Sequence, residues 1–262
     1  MPLTLWTGTA IDYALQARQE VGRLKRKKDN AKPPRGHPQE QMRRHFLQAV
    51  FEQRVPPGAR LTEEALAETF GVSRTVIRQV IARLVQDGIL IKQATGATNV
   101  AAPTRSETKK MLTVRHMIEP EIVRSLATRS GSLSFDALKS HLDKEDQARA
   151  ARDRATLVRL VGEFHLMLAQ MTDNPILIRL LTKLQALVCL AILLYATEED
   201  ACPKGEHRGI VEAMIAGEGE RAAEIMRHHL HHIEEDLQLD EIPKVDPHLS
   251  GALRWLRDRS VG

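Results

Sequence analysis

Aromatic residues make up only 3% of this 262-residue chain. That scarcity argues against a surface that grips single-stranded nucleic acid by stacking bases on rings. Cysteine is nearly absent too. The two present, Cys189 and Cys202, form no CxxC spacing, which does not suggest a disulfide framework or a thiolate metal site and fits a reducing cytosol. The N-terminus has no apolar core of signal-peptide type, and the longest apolar run, Ala186 to Ala196, is too short to span a bilayer. It reads instead as a buried helix, so a cytoplasmic protein with no membrane partner is expected. GxSxG, HExxH and phosphate-cradling glycine loops are all missing, and no repeat of solenoid length occurs.

The composition, 42% hydrophobic and 27% charged, supports a packed core. The length suits two domains. A formal charge of +4 and a sequence pI of about 9.2 bias the surface modestly toward polyanions. Residues 1–38 hold an amphipathic stretch, Ile11 to Val21, followed by the basic, proline-rich RLKRKKDNAKPPRGHP. Such a segment buries too little apolar surface to order itself and reads as a flexible arm. It is either a solvated linker or a tether lying along phosphates.

The run from Leu61 to Leu90, LTEEALAETFGVSRTVIRQVIARLVQDGIL, organises the next unit. It reads as two helices joined by the turn Phe70-Gly71-Val72, with Ser73 capping the second. On a 3.6-residue period Val76, Ile77, Val80, Ile81 and Leu84 share one side, with Arg74, Thr75, Arg78 and Ala82 on the other. A helix-turn-helix requires this division: one face buried in its own domain, the N-terminal residues of the other offered to a major groove. An earlier helix from Pro38 to Gln53 carries Met42, Phe46, Val50 and Phe51. After Asp87-Gly88, residues Ile89 to Gln93 and Thr98 to Ala101 read as a β-hairpin turning at Gly96. Residues 39–102 therefore predict a winged helix-turn-helix. Pro103 and the polar TRSET after it read as a hinge.

Residues 107–239 predict a second, all-α domain. Apolar spacing is helical through six segments, near 108–129, 135–151, 154–172, 175–197, 205–216 and 219–238, divided at Gly131, Asp173-Asn174-Pro175, Pro203-Lys204-Gly205 and Gly217 to Gly219. The fold class is thus mainly α, a winged helix-turn-helix followed by a six-helix bundle. The tail, 240–262, has a short helical patch around Leu253, Trp255 and Leu256 that caps the bundle or a neighbouring subunit.

Three histidines point inward from different helices. His165 is in register with Leu157, Val161 and Leu168; His207 with Ile210, Val211 and Met214; His229 with Ala222, Ile225, Met226 and Ile233. One inward histidine is ordinarily a satisfied core residue, whereas three facing one interior form a set that neutral imidazoles use to hold a divalent metal. In the cluster His228-His229-Leu230-His231-His232, only His229 shares the apolar stripe. His228 and His232 sit four apart on one face, either solvated or a two-point surface site. Arg115 is also inward, in line with Met111, Leu112, Ile118 and Ile122, and a buried guanidinium must be paired. Its partner is either Glu119 one turn on or a ligand carboxylate. Glu163 faces nearly the opposite side of its helix from His165, a poor position for a base acting on metal-bound water.

The segment PPGARLTEEALAETFGVSRTVIRQVIARLVQDGIL resembles the winged-helix domain of GntR-superfamily transcription regulators, whose pattern runs PGxxLxExxLAxxxGVSRxxxRxxLxxLxxxG. The bundle resembles the FCD ligand-binding domain of the FadR branch, VanR-like subgroup. It does so through RHMIEPEIV from Arg115, EFHLMLAQMTDNPIL from Glu163 and EHRGIVEAMIAGEGERAAEIMRHHL from Glu206. The resemblance implies a homodimeric repressor or activator that binds a palindromic operator in double-stranded DNA and responds to a small organic acid. It maps DNA contacts onto Ser73, Arg74, Thr75, Arg78 and Gly96, with Arg60 on a phosphate, and effector contacts onto Arg115, His165, His207 and His229. Val76 replaces a common proline, and Glu64 stands where many members carry a basic residue.

In metal-binding members of that family an aspartate one turn before the first histidine joins three histidines. These match His165, His207 and His229, but the aspartate position is Val161, which cannot ligate. The resemblance therefore implies a three-histidine site for zinc, nickel or another divalent ion, with a carboxylate or water completing its shell. Direct binding of an anionic effector by the histidines is the alternative. No organic cofactor is expected. An enzyme using the three-histidine site is the rival function, but it lacks an acid/base partner and leaves the winged helix unexplained.

Overall fold

The computed structural model describes residues 38–196, 205–237, 239, 253 and 256. The N-terminal arm and most of the C-terminal tail, including Trp255, lie outside the described residues. Leu256 is buried in the core and Leu253 packs against it.

The first unit contains α1 (Pro38–Phe51), β1 (Arg60–Leu61), α2 (Glu63–Phe70), α3 (Arg74–Gln86), β2 (Leu90–Lys92) and β3 (Thr98–Val100). Local chemistry sets its corners. Thr62 caps α2 by accepting from the Ala65 N–H, and Ser73 caps α3 through the Val76 N–H. Gly71 ends α2 in the left-handed region at φ +63°, where a β-carbon is disfavoured. Ile77, Val80, Ile81 and Leu84 form the buried side of α3. The wing has one more strand than the predicted hairpin: β1 pairs antiparallel with β3, Arg60 opposite Asn99, in the order β1-β3-β2. Two residues are too few to show alternation in the sequence.

The bundle contains α4 (Arg105–Thr128), a 3-10 turn at Ser130–Ser132, α5 (Asp136–Ala150), α6 (Arg154–Met171), α7 (Pro175–Tyr195), α8 (Glu206–Ile215) and α9 (Gly219–Asp236). The predicted hinge is instead the start of α4. Thr104 and Glu107 form a reciprocal capping box, and the Pro103 carbonyl accepts a 2.9 Å bond from the Tyr195 hydroxyl. These contacts tie the polar TRSET stretch to the bundle. Asn174 caps α7, with Pro175 in its first turn. The apolar run around Ala186 belongs to a 21-residue helix, long and apolar enough by composition to cross a bilayer, yet 56% of its most apolar stretch is buried inside the protein. It packs on α6, α4 and α1.

One hydrophobic core runs through both units. Phe51 of α1 packs on Gly162 of α6, where a β-carbon would stand 3.1 Å from the ring. Beside it Arg159 pairs with Glu163 at 3.0 Å and reaches Glu52 at 3.6 Å. Helix α6 thus docks the DNA-binding unit with one side and faces the bundle interior with another.

Candidate metal and effector site

His165 on α6, His207 on α8 and His229 on α9 are all buried, and one ring nitrogen of each lies within 4.8 Å of the other two. Nε2 of His229 lies 3.2 Å from Nε2 of His207 and 3.2 Å from Nε2 of His165. Each Nδ1 is held by a carboxylate: His165 by Glu119 at 2.5 Å, His207 by Glu145 at 3.0 Å, His229 by Glu206 at 2.8 Å. Phe164 stacks on the His207 ring at 3.8 Å between centroids and fixes its plane.

This arrangement decides the tautomers. A carboxylate accepts, so each Nδ1 carries the proton and each Nε2 presents a lone pair. Three convergent lone pairs cannot hydrogen-bond one another, but they suit a cation. Nitrogens bound tetrahedrally to zinc at about 2.0–2.1 Å lie roughly 3.4 Å apart, close to the two 3.2 Å separations that His229 makes here. Protonation states agree. Burial pushes His165 down to about 4, against the pull of Glu119. Burial and the neighbouring imidazoles hold His229 well below its ordinary value. Glu119 and Glu145 lie at about 2; burial opposes their charge, but Arg115 and His165 outweigh it for Glu119, and His207 and His141 for Glu145.

Arg115 adjoins the cluster. Its Nε donates to Glu119 Oε1 at 2.5 Å, while Glu119 Oε2 accepts from His165. One carboxylate therefore joins the guanidinium to a histidine. The residue is fully buried, yet Nη1 and Nη2 have no hydrogen-bond partner. An unsatisfied buried donor costs about 1–3 kcal/mol, more when charged, so two on one guanidinium point to an anion with paired acceptors. Val161, one turn before His165, is buried in a small apolar cluster with Ala148, Leu157 and Leu160. His228 lies outside, paired with Glu224 at 3.2 Å, and His232 contacts Glu206.

The six residues that the resemblance directs to DNA lie on the winged helix-turn-helix unit. Arg60, Ser73, Arg74, Thr75, Arg78 and Gly96 are all exposed. Arg60, Arg78 and Gly96 line a single groove between α3 and the wing, with Lys92 and Glu63. Both recognition-helix arginines are engaged from α2: Arg78 by Glu63 at 2.8 Å, and Arg74 by Glu64.

Comparison with known proteins matches a family model to each of the two units. Residues 38–100 match the family described as bacterial regulatory proteins, gntR family, and residues 110–232 match the FCD domain. The chain is a GntR-family regulator with an FCD domain. It is 25% identical over 186 residues to the HTH-type transcriptional regulator YdhC of Bacillus subtilis, covering 70% of this chain and 83% of that one. Another relative, from Paenarthrobacter nicotinovorans, is named "Probable D-xylose utilization operon transcriptional repressor". It is 23% identical, with 72% of this chain and 84% of its own covered. Among solved structures, Escherichia coli McbR/YncC superposes with a TM-score of 0.64 at 22% identity, over 76% of this chain and 98% of that one. A GntR regulator of Rhodococcus sp. RHA1 gives 0.65 at 19%, over 75% and 95%. These likenesses show the fold. This GntR/FCD regulator is a DNA-binding transcriptional regulator, and the family is one of regulators rather than enzymes.

The regulator's histidines backed by carboxylates include partners that the sequence did not reveal. Glu145 lies 62 residues from His207, and nothing local marks it. Glu206 stands beside His207 in the chain but serves His229. Glu119 is at once the partner expected for Arg115 and a support for His165.

Proposed function

We propose that this regulator is a cytoplasmic homodimer that binds a palindromic operator through its winged helices and senses a small carboxylate in the bundle. His165, His207 and His229 would hold a divalent cation, zinc or nickel. The observation that carries the reading is the convergence of three carboxylate-backed Nε2 lone pairs beside the two unpaired terminal nitrogens of Arg115. The donor set fits such an ion: three neutral imidazoles, each oriented by an outer carboxylate. Glu119, Glu145 and Glu206 together with Arg115 leave two net negative charges around the cluster, which a divalent cation balances. When bound, the cation would supply a positive charge and open coordination for an anionic oxygen.

Val161 adds nothing to the inner ligands, so the position used by aspartate in metal-binding relatives is left to water or the effector. Arg115 would hold the effector's carboxylate with Nη1 and Nη2 and stay oriented by Glu119. Helix α6 supports a route outward. His165 faces the site, while Gly162 and Arg159 on the same helix meet Phe51 and Glu52 of α1. A shift of α6 would move α1 and change the spacing of the two winged domains. Half-sites repeat with the DNA helix, so that spacing alters operator affinity without altering base contacts.

Thermal unfolding of the purified protein with zinc, nickel and a panel of small carboxylates tests the reading. A ligand that binds the native state raises the midpoint by mass action. Stabilisation by metal, and further by one class of acid, is expected; no shift with any of them would contradict it.

A further inference from the structure

Arg78 and Glu63 show an asymmetry in how the recognition helix is armed. Glu63 is the first residue of α2, fixed next to the Thr62 cap, and its Oε2 accepts from Arg78 Nε at 2.8 Å. A guanidinium has one Nε–H on its flank and two terminal nitrogens. A bond to the flank leaves Nη1 and Nη2 pointing onward as a pair. Arg74 is held differently: Glu64 takes Nη2, one of the terminal nitrogens. Glu63 therefore orients its arginine, whereas Glu64 occupies the end of the arginine that would meet a base. Arg60 and Lys92, on the same groove as Arg78, have no carboxylate partner among the described residues, as suits contacts to phosphate.

We propose that Glu63 is a specificity-determining residue. By holding Nε it presents Nη1 and Nη2 of Arg78 to O6 and N7 of a guanine in the major groove, the two-acceptor edge an arginine reads bidentately. Arg78 is otherwise an exposed, rotamer-rich side chain, equally able to settle on a phosphate. Pinning its flank favours the planar base edge over the backbone. Glu63 also places a negative charge at the groove, which lowers affinity for any duplex and leaves binding more dependent on the guanine contact. The two effects make Glu63 unfavourable for affinity and favourable for discrimination, a combination that a merely structural residue would not produce.

The test is selection of the full-length protein on a randomised duplex library, sequencing bound and free pools at two salt concentrations. Wild type, Glu63→Gln, Arg78→Ala and Arg78→Lys are compared. One position in each half-site should prefer guanine in the wild type by on the order of tenfold or more, and lose that preference in Arg78→Ala. Arg78→Lys keeps the charge without the fork, so it should bind more tightly than Arg78→Ala yet also lose the preference. Glu63→Gln should weaken the preference at that same position while its affinity for unrelated duplex is unchanged or higher. Retention of the full guanine preference in Glu63→Gln would overturn the proposal, as would a uniform loss of affinity across sequences or the absence of any Arg78-dependent guanine. Glu63 is partly exposed and Thr62 still caps α2 in the variant. Circular dichroism should therefore show wild-type melting, and Glu63→Asp, which keeps the charge but shortens the reach, should likewise weaken the guanine preference; full retention of it there would also overturn the proposal.

Discussion

Gly162 of α6 and Phe51 of α1 meet where the helical bundle touches the DNA-binding unit, and a side chain on the glycine would crowd its neighbours there. A β-carbon there would lie 3.1 Å from Phe51 Cδ1 and 3.1 Å from Gln185 Nε2. His165 sits three residues further along the same helix. Gly162→Ala should therefore lower stability by about 1–3 kcal/mol through overpacking and change operator affinity in fluorescence anisotropy. Metal titration should give the wild-type value. Unchanged operator binding in a protein that is measurably destabilised would place the relay elsewhere.

Replacing Arg115 by lysine separates the two halves of the proposed site. The ammonium retains a charge for Glu119 but cannot offer paired N–H groups to a carboxylate. Arg115→Lys should keep its thermal stabilisation by zinc or nickel and lose the additional stabilisation by acids. An acid response equal to wild type would remove Arg115 from effector binding.

Val161→Asp restores a carboxylate one turn before His165. Without metal, the buried charge should destabilise the protein by a few kcal/mol. With metal the order should reverse, the variant binding a divalent ion at least about tenfold more tightly than wild type, as a charged fourth ligand replaces water. Competition against a chromophoric chelator measures the second effect and denaturant unfolding the first. A variant whose metal affinity matches wild type would show that position 161 does not face the ion.

Acid should unfold the metal-free protein early. His165 falls to about 4 in the folded state, from an ordinary 6.5, so between those values the unfolded chain binds more protons and stability drops as pH falls. The shift corresponds to about 3 kcal/mol, complete near pH 4. Glu119, held at about 2 rather than 4.5, adds a second loss below pH 4.5. Urea midpoints measured from pH 7 to 4 in chelator should decline throughout. A flat profile between 6.5 and 4.5 would contradict the neutral, buried histidine.

Much of this was legible along the chain where the signal is local. Ser73 and Gly88 punctuate α3, and helical periodicity alone turned His165, His207 and His229 inward and His228 outward. The supports of those histidines were not legible, because Glu145 and Glu206 act across helices and their role depends on how α5, α8 and α9 pack. The TRSET stretch read as a hinge because its residues are polar, yet Thr104 and Glu107 use that polarity to cap a helix. Strand β1, only Arg60 and Leu61, exists because β3 offers a neighbour. Arg74 and Arg78 were visible as a basic face, but their pairing with Glu64 and Glu63 required the turn to be folded.

The most direct measurement is X-ray diffraction from crystals grown with zinc or nickel, collected on both sides of the metal absorption edge. A single anomalous peak within bonding distance, about 2.0–2.1 Å, of Nε2 of His165, His207 and His229 is the predicted result. No peak there, or a peak only at the exposed His228 and His232, would contradict the account of the bundle as a metal-assisted sensor.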